Sequence, residues 1–484
     1  MFGATVLVPT LTGLNVSNTL LFAGLGTLLF HFITQRKVPA FLGSSFAFLA
    51  GYFTIAPNGE KDLLPYACLG VIFAGLIYII LAIIIKIGGI GRIMKFFPPI
   101  VTGPIIIAIG LSLSKSAINN CAKNWLISSL SVVFVVSFNI WGKGLVKIIP
   151  GLVSIILSVA IASFLLIFPH ETVNGYICMY GNENLRLFSQ ANVESIKTVP
   201  WIGLPFSIDD TVIYVFKHFN TSLVVSSIIT IVPIALATIV EHIGDISAIS
   251  STCRRNYLSK PGLHRTLIGD GLATIVASFF GAPANTTYGE NTGVLTISKV
   301  FDPLVLEIAA VISIILSFSP KIAACVSAIP TATTGGVSLI LYGMISAVGV
   351  RNIVEYKVNF TKTRNVILAG LILVLSIGIT YSDQGSFIIP LGKVEISLSG
   401  LAIGSLVGII FNAILPGKDY EYQAKVYIEP TTEDQDNNES KIASSKELEE
   451  GKVSRNGSLN DNLSDTTEIR RDSSGELSDD RKEI

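Results

Sequence analysis

Residues 285–289 are Asn-Thr-Thr-Tyr-Gly, and they repeat the pattern of residues 43–47, Gly-Ser-Ser-Phe-Ala. In both stretches small, mostly hydroxyl-bearing residues precede an aromatic residue and then a very small one. A second pair follows in the same order, because residues 98–103, Pro-Pro-Ile-Val-Thr-Gly, resemble residues 330–335, Pro-Thr-Ala-Thr-Thr-Gly. The offsets of 242 and 232 residues are similar, so we interpret the chain as two related halves.

Apolar segments run through both halves. We count fourteen, three of them shorter than the roughly 20 residues that a hydrocarbon core of about 30 Å requires of a helix. Their approximate bounds are 1–11, 17–34, 39–55, 64–88, 95–115, 124–141, 145–168, 222–247, 266–281, 287–298, 303–320, 334–350, 365–381 and 396–415. Half of all residues are apolar, and the mean hydropathy is +0.64. The composition predicts an all-α polytopic membrane protein.

The basic residues between these segments predict the orientation. If the first segment starts in the cytoplasm, nearly all Lys and Arg outside the tail fall in cytoplasmic loops, as the positive-inside rule requires. Seven segments per half give the halves opposite orientations, which is typical of transporters with a binding site near the midplane. We assign 1–168 to the first inverted repeat, 169–220 to an external loop and 221–416 to the second repeat. Within the loop, 207–219 is expected to form a helix on the membrane surface.

The end of the chain has a different composition. From Gly417 to Ile484 there are 18 acidic and 10 basic residues and few apolar ones. Such a segment cannot bury enough apolar surface to fold. Residues 417–484 are therefore predicted to be a disordered acidic tail on the cytoplasmic side.

The third and tenth segments are short and contain the repeated Gly, Ser and Thr residues around Phe46 and Tyr288. These residues are poor helix formers, so we expect short extended stretches there. Non-helical backbone persists at membrane depth only where protein or a polar cavity satisfies its N–H and C=O groups. A planar heterocycle with alternating N–H and C=O edges suits such a site, and Phe46 and Tyr288 offer rings for stacking.

Three carboxylates lie in or beside apolar segments of the second half. Glu241 and Asp245 are four residues apart and share one face of a helix, and Glu290 follows the repeated stretch. Acids inside a membrane are costly, and they suggest a substrate pathway or a proton relay. We therefore take these three acids as the candidates for binding and proton coupling.

Other polar and small residues are interpreted as structural. His242 is adjacent to Glu241 but points about 100° away around the helix, Asp270 lies near a segment end, and Gly244 is expected to permit close helix contact. Most of the five cysteines are interpreted as packing residues, although Cys121 and Cys178 could meet in a disulfide outside the membrane. No hydrolase motif or phosphate-binding glycine loop is visible. We expect no enzymatic activity, metal, cofactor or nucleic-acid partner, and a proton as the coupling ion.

Residues 290–299 read Glu-Asn-Thr-Gly-Val-Leu-Thr-Ile-Ser-Lys, which resembles the signature of the nucleobase–ascorbate transporter family, and within it the bacterial uracil permeases. That signature has Gln or Glu, Asn, any residue, Gly, four residues, Thr, and then a basic residue or Gly. The signature positions here are Asn291, Gly293, Ser298 and Lys299, and the one departure is Ser298 for Thr. Residues 261–265 and 335–338 also match, and the resemblance runs from Met1 to about Leu415.

The resemblance implies core and gate domains and a homodimer formed through the gates. It also implies a binding site for the base. Its residues would be Glu241, Glu290, Phe46, Gly289, Tyr288 and Ala4, with Glu241 carrying the proton beside Asp245. Uracil permeases often have His at the position of Asp245, and the acid here is similar to many xanthine transporters.

These observations favour proton-coupled import of uracil across the cytoplasmic membrane. Xanthine or another purine is an alternative substrate, and a facilitator or membrane sensor that binds a base without coupling is an alternative class of protein. The first segment, with about 11 residues, covers only about 16 Å of helix. We therefore expect the natural protein to begin some 20 to 30 residues upstream, the length the resemblance implies.

Overall fold

The computed structural model describes residues 2–57, 59–89, 91, 95–391 and 394–417. Its description of side chains leaves out residues 2–4, 145, 148, 290, 292, 293, 297 and 390–397. The described residues all belong to one compact unit, 1–426. The predicted tail from residue 418 onward lies outside the described residues, so its disorder stays a prediction.

Helices make up most of the described chain. They are α1 (Phe2–Thr12), α2 (Val16–Ile33), α3 (Leu49–Ile55), α4 (Leu64–Gly88), α5 (Pro99–Ser112), α6 (Ser114–Cys121), α7 (Trp125–Ile140), α8 (Leu145–Ile148), α9 (Pro150–Phe164), α10 (Gln190–Thr198), α11 (Ile213–Lys217), α12 (Thr221–Cys253), α13 (Leu263–Phe279), α14 (Glu290–Ser298), α15 (Pro303–Ser317), α16 (Pro320–Ser327), α17 (Thr331–Glu355), α18 (Thr363–Thr380) and α19 (Gly400–Ile414).

Several helices begin where a polar side chain can cap them. The Asn15 side chain accepts hydrogen bonds from the backbone N–H groups of Ser17 and Asn18 at the start of α2. Asn220 caps α12 in the same way, and Asn124 caps α7. Capping satisfies N–H groups that have no partner within the helix, which fixes where each helix starts.

Among the described residues, seven helices are long and apolar enough to cross a membrane, or eight if α15 and α16, bent by 88°, form one span. The chain is therefore a multi-pass membrane protein. The remaining predicted segments correspond to shorter helices, including α1, α3 and α14 with 11, 7 and 9 residues. Fourteen spans and the inverted repeats stay predictions.

The helices pack into two bundles, and each bundle draws on both predicted repeats. In the first bundle α4 packs against α12 and α13, and α2 packs against α13 and α15. In the second bundle α17 packs against α5, α6 and α7, and α18 packs against α5 and α19. Helix α12 also contacts α5 and α19, so it lies where the two bundles meet.

Two strands lie inside the first bundle. Strand β1 (Leu42–Ser44) pairs antiparallel with β5 (Asn285–Thr287), with Leu42 opposite Thr287 and Ser44 opposite Asn285. Each strand precedes a short helix, α3 or α14. The pairing satisfies backbone groups that a helix would otherwise satisfy internally. Extended stretches in the third and tenth segments are thus confirmed.

The segment 169–220 is more structured than the predicted external loop. It contains a three-stranded sheet of β2 (His170–Val173), β3 (Tyr176–Met179) and β4 (Arg186–Ser189), followed by α10. The predicted surface helix over 207–219 is wrong, since only a single turn at 208–210 and the five-residue α11 form there. Asp209 and Asp210 lie in that turn, and His218 and Phe219 follow the helix.

The sheet of this segment packs on the second bundle. Met179, Leu187 and Phe188 of the sheet pack with Ile127 and Ala162 of the second bundle.

A second hairpin, β6 (Ser386–Leu391) and β7 (Val394–Ser399), precedes α19. The label all-α is therefore too simple, because short strands occur in two connections and in the first bundle.

All five cysteines are free thiols, and Cys121 and Cys178 are both buried without pairing. The interpretation of the cysteines as packing residues therefore applies to this pair. The alternative disulfide between them is absent from the structure.

Candidate substrate-binding site at the strand pair

The backbone pairing of the two strands stops just beyond their ends. One backbone hydrogen bond extends the pairing beyond each end of the strand pair. The Ser45 N–H donates to the Ala284 carbonyl at 3.0 Å, and the Tyr288 N–H donates to the Phe41 carbonyl at 3.3 Å. Within the part of the chain that the structure describes, no backbone bond is formed by the N–H groups of Phe46 or Gly289. Both residues are among the predicted site residues.

Tyr288 is held rigidly across the strand pair. Its hydroxyl group lies 3.1 Å from the Thr5 hydroxyl group and donates to the Ser44 carbonyl at 3.1 Å. The ring lies against Gly43, where a Cβ atom would overlap it. Glycine in the repeated stretch is therefore required by this contact, and Thr5 fastens α1 to the strands.

Phe46 links the two bundles at the same level. Its ring meets the Tyr342 ring of α17 edge-on, with centroids 5.5 Å apart and planes at 83°. Both side chains are buried. A residue of the second bundle thus reaches the predicted site. Tyr342 could not be predicted from sequence, because it lies in an apolar segment without a motif.

Asp245 lies directly beside the strand pair. Its Oδ2 accepts a hydrogen bond from the Thr287 hydroxyl group at 3.3 Å. A Cβ atom at Gly289 would overlap Asp245 Oδ1, so glycine is needed at the start of α14. Glu241, one turn earlier on α12, is half-buried. The structure therefore brings Asp245, Gly289 and the strand pair together.

His242 and Asp270 form a buried pair behind the strands. His242 Nδ1 lies 2.7 Å from Asp270 Oδ2, and both side chains are fully buried. The same nitrogen lies 3.1 Å from the Thr287 hydroxyl group, and Nε2 lies 3.0 Å from that of Thr266. A chain of polar contacts thus runs from Asp270 through His242 and Thr287 to Asp245. Asp270 lies in the middle of α13 and not near a segment end, as was predicted from the sequence.

We expect His242→Ala to destabilise the protein strongly. Removing one partner of a buried ionisable pair leaves the other without compensation, which costs about 3–5 kcal/mol. The measurement is the apparent melting temperature of the purified protein in detergent. His170→Ala, at an exposed position in β2, is the control and should melt like the unaltered protein. Equal melting temperatures for both variants would contradict the pairing.

We expect Asp245→Asn to shift the pH optimum of uptake downward, because a neighbouring carboxylate no longer opposes ionisation of Glu241. Asn keeps the shape of the side chain and can still contact Thr287. Uptake measured across a pH series checks this. An unchanged profile would mean that Asp245 has a structural role alone.

The signature residues form α14 and its end. Lys299 follows the helix with φ of 55°, in the left-handed region, and its N–H donates to the Leu295 carbonyl at 2.9 Å. Glycine tolerates that conformation best, which explains why the signature accepts Gly at this position. Ser298 and Lys299 are exposed, and Asn291 is half-buried. The side chains of Ala4 and Glu290, and the surroundings of Gly293, lie outside the described residues.

Several membrane-spanning helices, together with two paired strands that interrupt the helical structure before α3 and α14, are typical of membrane transport proteins. A family model described as a permease family matches residues 1–385. The chain belongs to this permease family.

Curated relatives extend over most of the chain. A probable uracil permease of Pasteurella multocida is 37% identical over 86% of this chain and 91% of the relative. The uracil permease of Bacillus subtilis is 36% identical over 86% of this chain and 90% of its own. That of Escherichia coli is 34% identical over 84% and 87%. The resemblance to uracil permeases is confirmed, and the chain is a transporter rather than an enzyme.

Solved structures agree on the fold. The transmembrane domain of a cyanobacterial bicarbonate transporter, BicA, is similar with a TM-score of 0.51 at 13% identity, over 85% of this chain and 95% of that one. SLC26A9 is similar with a TM-score of 0.54 at 13% identity, over 85% of this chain and 63% of that one. These likenesses concern the fold alone.

Proposed function

We propose that this permease imports uracil across the cytoplasmic membrane together with a proton. The observation that carries the proposal is the convergence of Asp245, Gly289 and the paired strands at one place inside the first bundle. The relatives named uracil permeases support the choice of substrate.

Uracil would bind through its edges and faces. Its ring N–H groups donate to the carboxylate of Glu290 and to the carbonyl oxygen of the protonated Glu241 carboxyl group, and the N–H groups of Phe46 and Gly289 donate to its carbonyl oxygens. Tyr288 and Phe46 pack on the ring, and Ala4 closes the site from α1. Charge-assisted hydrogen bonds of this kind are about twice as strong as neutral ones, which favours a base over an apolar ring.

Glu241 would carry the proton, and Asp245 would set when it is released. Two carboxylates one turn apart resist being ionised together, so one holds a proton more readily while the other is charged. The contact chain through Thr287 to His242 and Asp270 gives this pair polar neighbours on its buried side. A titrating group of this kind would be unnecessary in a passive facilitator.

Alternating access would arise from movement of the first bundle, as the core, against the second, as the gate. In this proposal fourteen segments form two inverted repeats, the protein is a homodimer through its gates, and the acidic tail is cytoplasmic. The helix α12 at the boundary supports this arrangement because it carries both acids.

Competition for uptake tests the substrate. The gene is expressed in a bacterial host that lacks its own uracil uptake, and radiolabelled uracil is supplied with excess unlabelled uracil, xanthine or cytosine. We expect uptake that only unlabelled uracil abolishes. Abolition by xanthine would make this chain a purine carrier, in agreement with the acid at position 245.

A further inference from the structure

Three titratable or charged side chains meet where α2 ends, outside the candidate site. His31 lies in the last turn of α2, Glu307 lies near the start of α15, and Arg36 lies in the connection from α2 to β1. Glu307 Oε1 is 3.4 Å from His31 Nδ1 and 3.0 Å from Arg36 Nε. The side chains of His31 and Glu307 are 1% and 9% exposed. An ionisable pair is therefore buried between two helices of the first bundle, and the proposed transport mechanism does not use it.

The hydrogen bond on the other side of the His31 ring determines where its hydrogens lie. Nε2 is 2.8 Å from the Ala40 carbonyl oxygen, which can only accept, so Nε2 carries a hydrogen and donates it. A neutral imidazole has no second N–H group, so Nδ1 would then turn a lone pair toward the Glu307 carboxylate. Two acceptors that face each other repel, whereas a proton between them makes the contact attractive. Because Arg36 beside the same oxygen favours an ionised carboxylate, that proton is held on Nδ1.

Other charged groups near this end of α2 are engaged elsewhere. On α13, Arg265 donates to the carbonyl of the last α2 residue at 3.5 Å. Asp270, also on α13, pairs with the buried histidine of α12. Glu307 from α15 is therefore the acid that faces His31, with Arg36 as the cation beside it.

The same face of α2 holds the backbone that leads into the strand pair. Thr27, four residues before His31, accepts from the Leu42 N–H at 2.9 Å and donates to the Leu42 carbonyl at 3.3 Å. The His31 bond is made at the residue before Phe41, and the Phe41 carbonyl accepts from the Tyr288 N–H at 3.3 Å. A change at His31 therefore acts on the backbone that holds Tyr288 in the candidate site.

We propose that His31 and Glu307 form a second proton-binding site, and that His31 is a positioning residue for β1 through which this proton adjusts the affinity for the base. With the proton bound, the ion pair joins α2 to α15 and the ring holds Ala40. When the proton leaves, the lone pair of Nδ1 faces the carboxylate and the ring moves away from it, which weakens the bond to Ala40. Affinity for the base then falls as the pH rises. The inference rests on the proposed function, because it takes β1 as part of the site that holds the base.

Glu307→Gln separates the proton from the contact. A glutamine amide group can donate to a neutral Nδ1 and accept from Arg36, so the contact no longer requires a proton. The Kd of the purified protein for uracil is measured by calorimetry across a pH series. We expect this Kd to rise less steeply with pH in Glu307→Gln than in the unaltered protein, by up to about tenfold per pH unit for one linked proton.

Glu194→Gln, exposed on α10, is the matched control. It makes the same chemical change away from the pair and should keep the pH dependence of the unaltered protein. Glu241 titrates in all three proteins, so its contribution to the pH dependence cancels in the comparison. The same steepness in Glu307→Gln as in the control would overturn the inference.

The histidine rings provide a readout that needs no base. The chain has five histidines, and NMR of ¹⁵N-labelled rings reports which nitrogen carries a hydrogen. The His31 signal is the one that disappears in His31→Gln. Across a pH series around about 6.5, the ordinary histidine value, it should change from an imidazolium to a neutral ring with its hydrogen on Nε2. In Glu307→Gln the ring should be neutral throughout, because burial without a facing carboxylate disfavours the charged form.

The two measurements separate this inference from the substrate proposal. A His31 ring that stays neutral across the series in the unaltered protein would overturn the second proton site. If the unaltered protein binds no uracil while His31 changes its charge as expected, the substrate proposal fails and the proton site is retained.

Discussion

Glu241→Gln is expected to abolish accumulation of uracil while exchange of uracil across the membrane continues. Glutamine resembles the protonated carboxyl group in shape and charge, so the site can still bind the base. The glutamine side chain cannot release a proton, so the proton gradient no longer drives the transport cycle in one direction. Accumulation of uracil above the external concentration should be lost completely.

Two assays on the same proteoliposomes measure this. Accumulation is driven by an inward proton gradient, and exchange is followed as counterflow into vesicles preloaded with unlabelled uracil. Glu171→Gln, at an exposed position in β2, makes the same chemical change away from the site and should behave like the unaltered protein. Proton-driven accumulation by Glu241→Gln would remove Glu241 from the coupling step.

Glu290→Gln is expected to weaken uracil binding by about 10- to 150-fold, which corresponds to the roughly 1.5–3 kcal/mol of a hydrogen bond to a charged group. The residue starts α14 directly after Gly289. Neutral glutamine also turns an N–H₂ group toward the ring N–H groups in one of its orientations, which adds repulsion.

Binding to purified protein is measured by scintillation proximity or calorimetry. Glu194→Gln, exposed on α10, is the matched control. An affinity for uracil equal to that of the control would show that Glu290 does not contact the base. The two glutamate variants should therefore differ, because one loses coupling and the other loses affinity.

The two extended stretches could be predicted from sequence because their cause is local. Small hydroxyl residues and glycine at 43–45 and 285–287 favour extended backbone, and the internal repeat shows that the two stretches have corresponding places. Their antiparallel pairing, with Gly43 under the ring of Tyr288, follows from packing between distant segments. Composition carries no information on that contact.

The pairing of His242 with Asp270 behind the site could not be predicted either, because it too depends on contact between distant segments. His242 faces away from Glu241 on α12, and its partner Asp270 comes from another helix, α13. Periodicity shows which helix face a residue occupies but not which helix covers that face. Gly244 illustrates this limit, since glycine in a helix can serve close contact or leave open space, and only the neighbouring helices decide. The predicted close contact is wrong, because a Cβ atom added to Gly244 would meet no atom within 4 Å.

The strands of the connection 169–220 could not be predicted because they are short. Strands of four residues contain too few alternations to be recognised in a polar, mixed sequence. Their apolar residues Met179, Leu187 and Phe188 pack on the second bundle rather than on one another alone. Tertiary contact therefore stabilises elements that have weak local signals.

Uptake of radiolabelled uracil into proteoliposomes, with and without an inward proton gradient, tests the central claim most directly. The account predicts accumulation above the external concentration only when the outside is more acidic, and its collapse when a protonophore dissipates the gradient. Glu241→Gln in the same vesicles should show equilibration without accumulation. Equal uracil entry with and without the gradient, insensitive to the protonophore, would contradict proton-coupled transport.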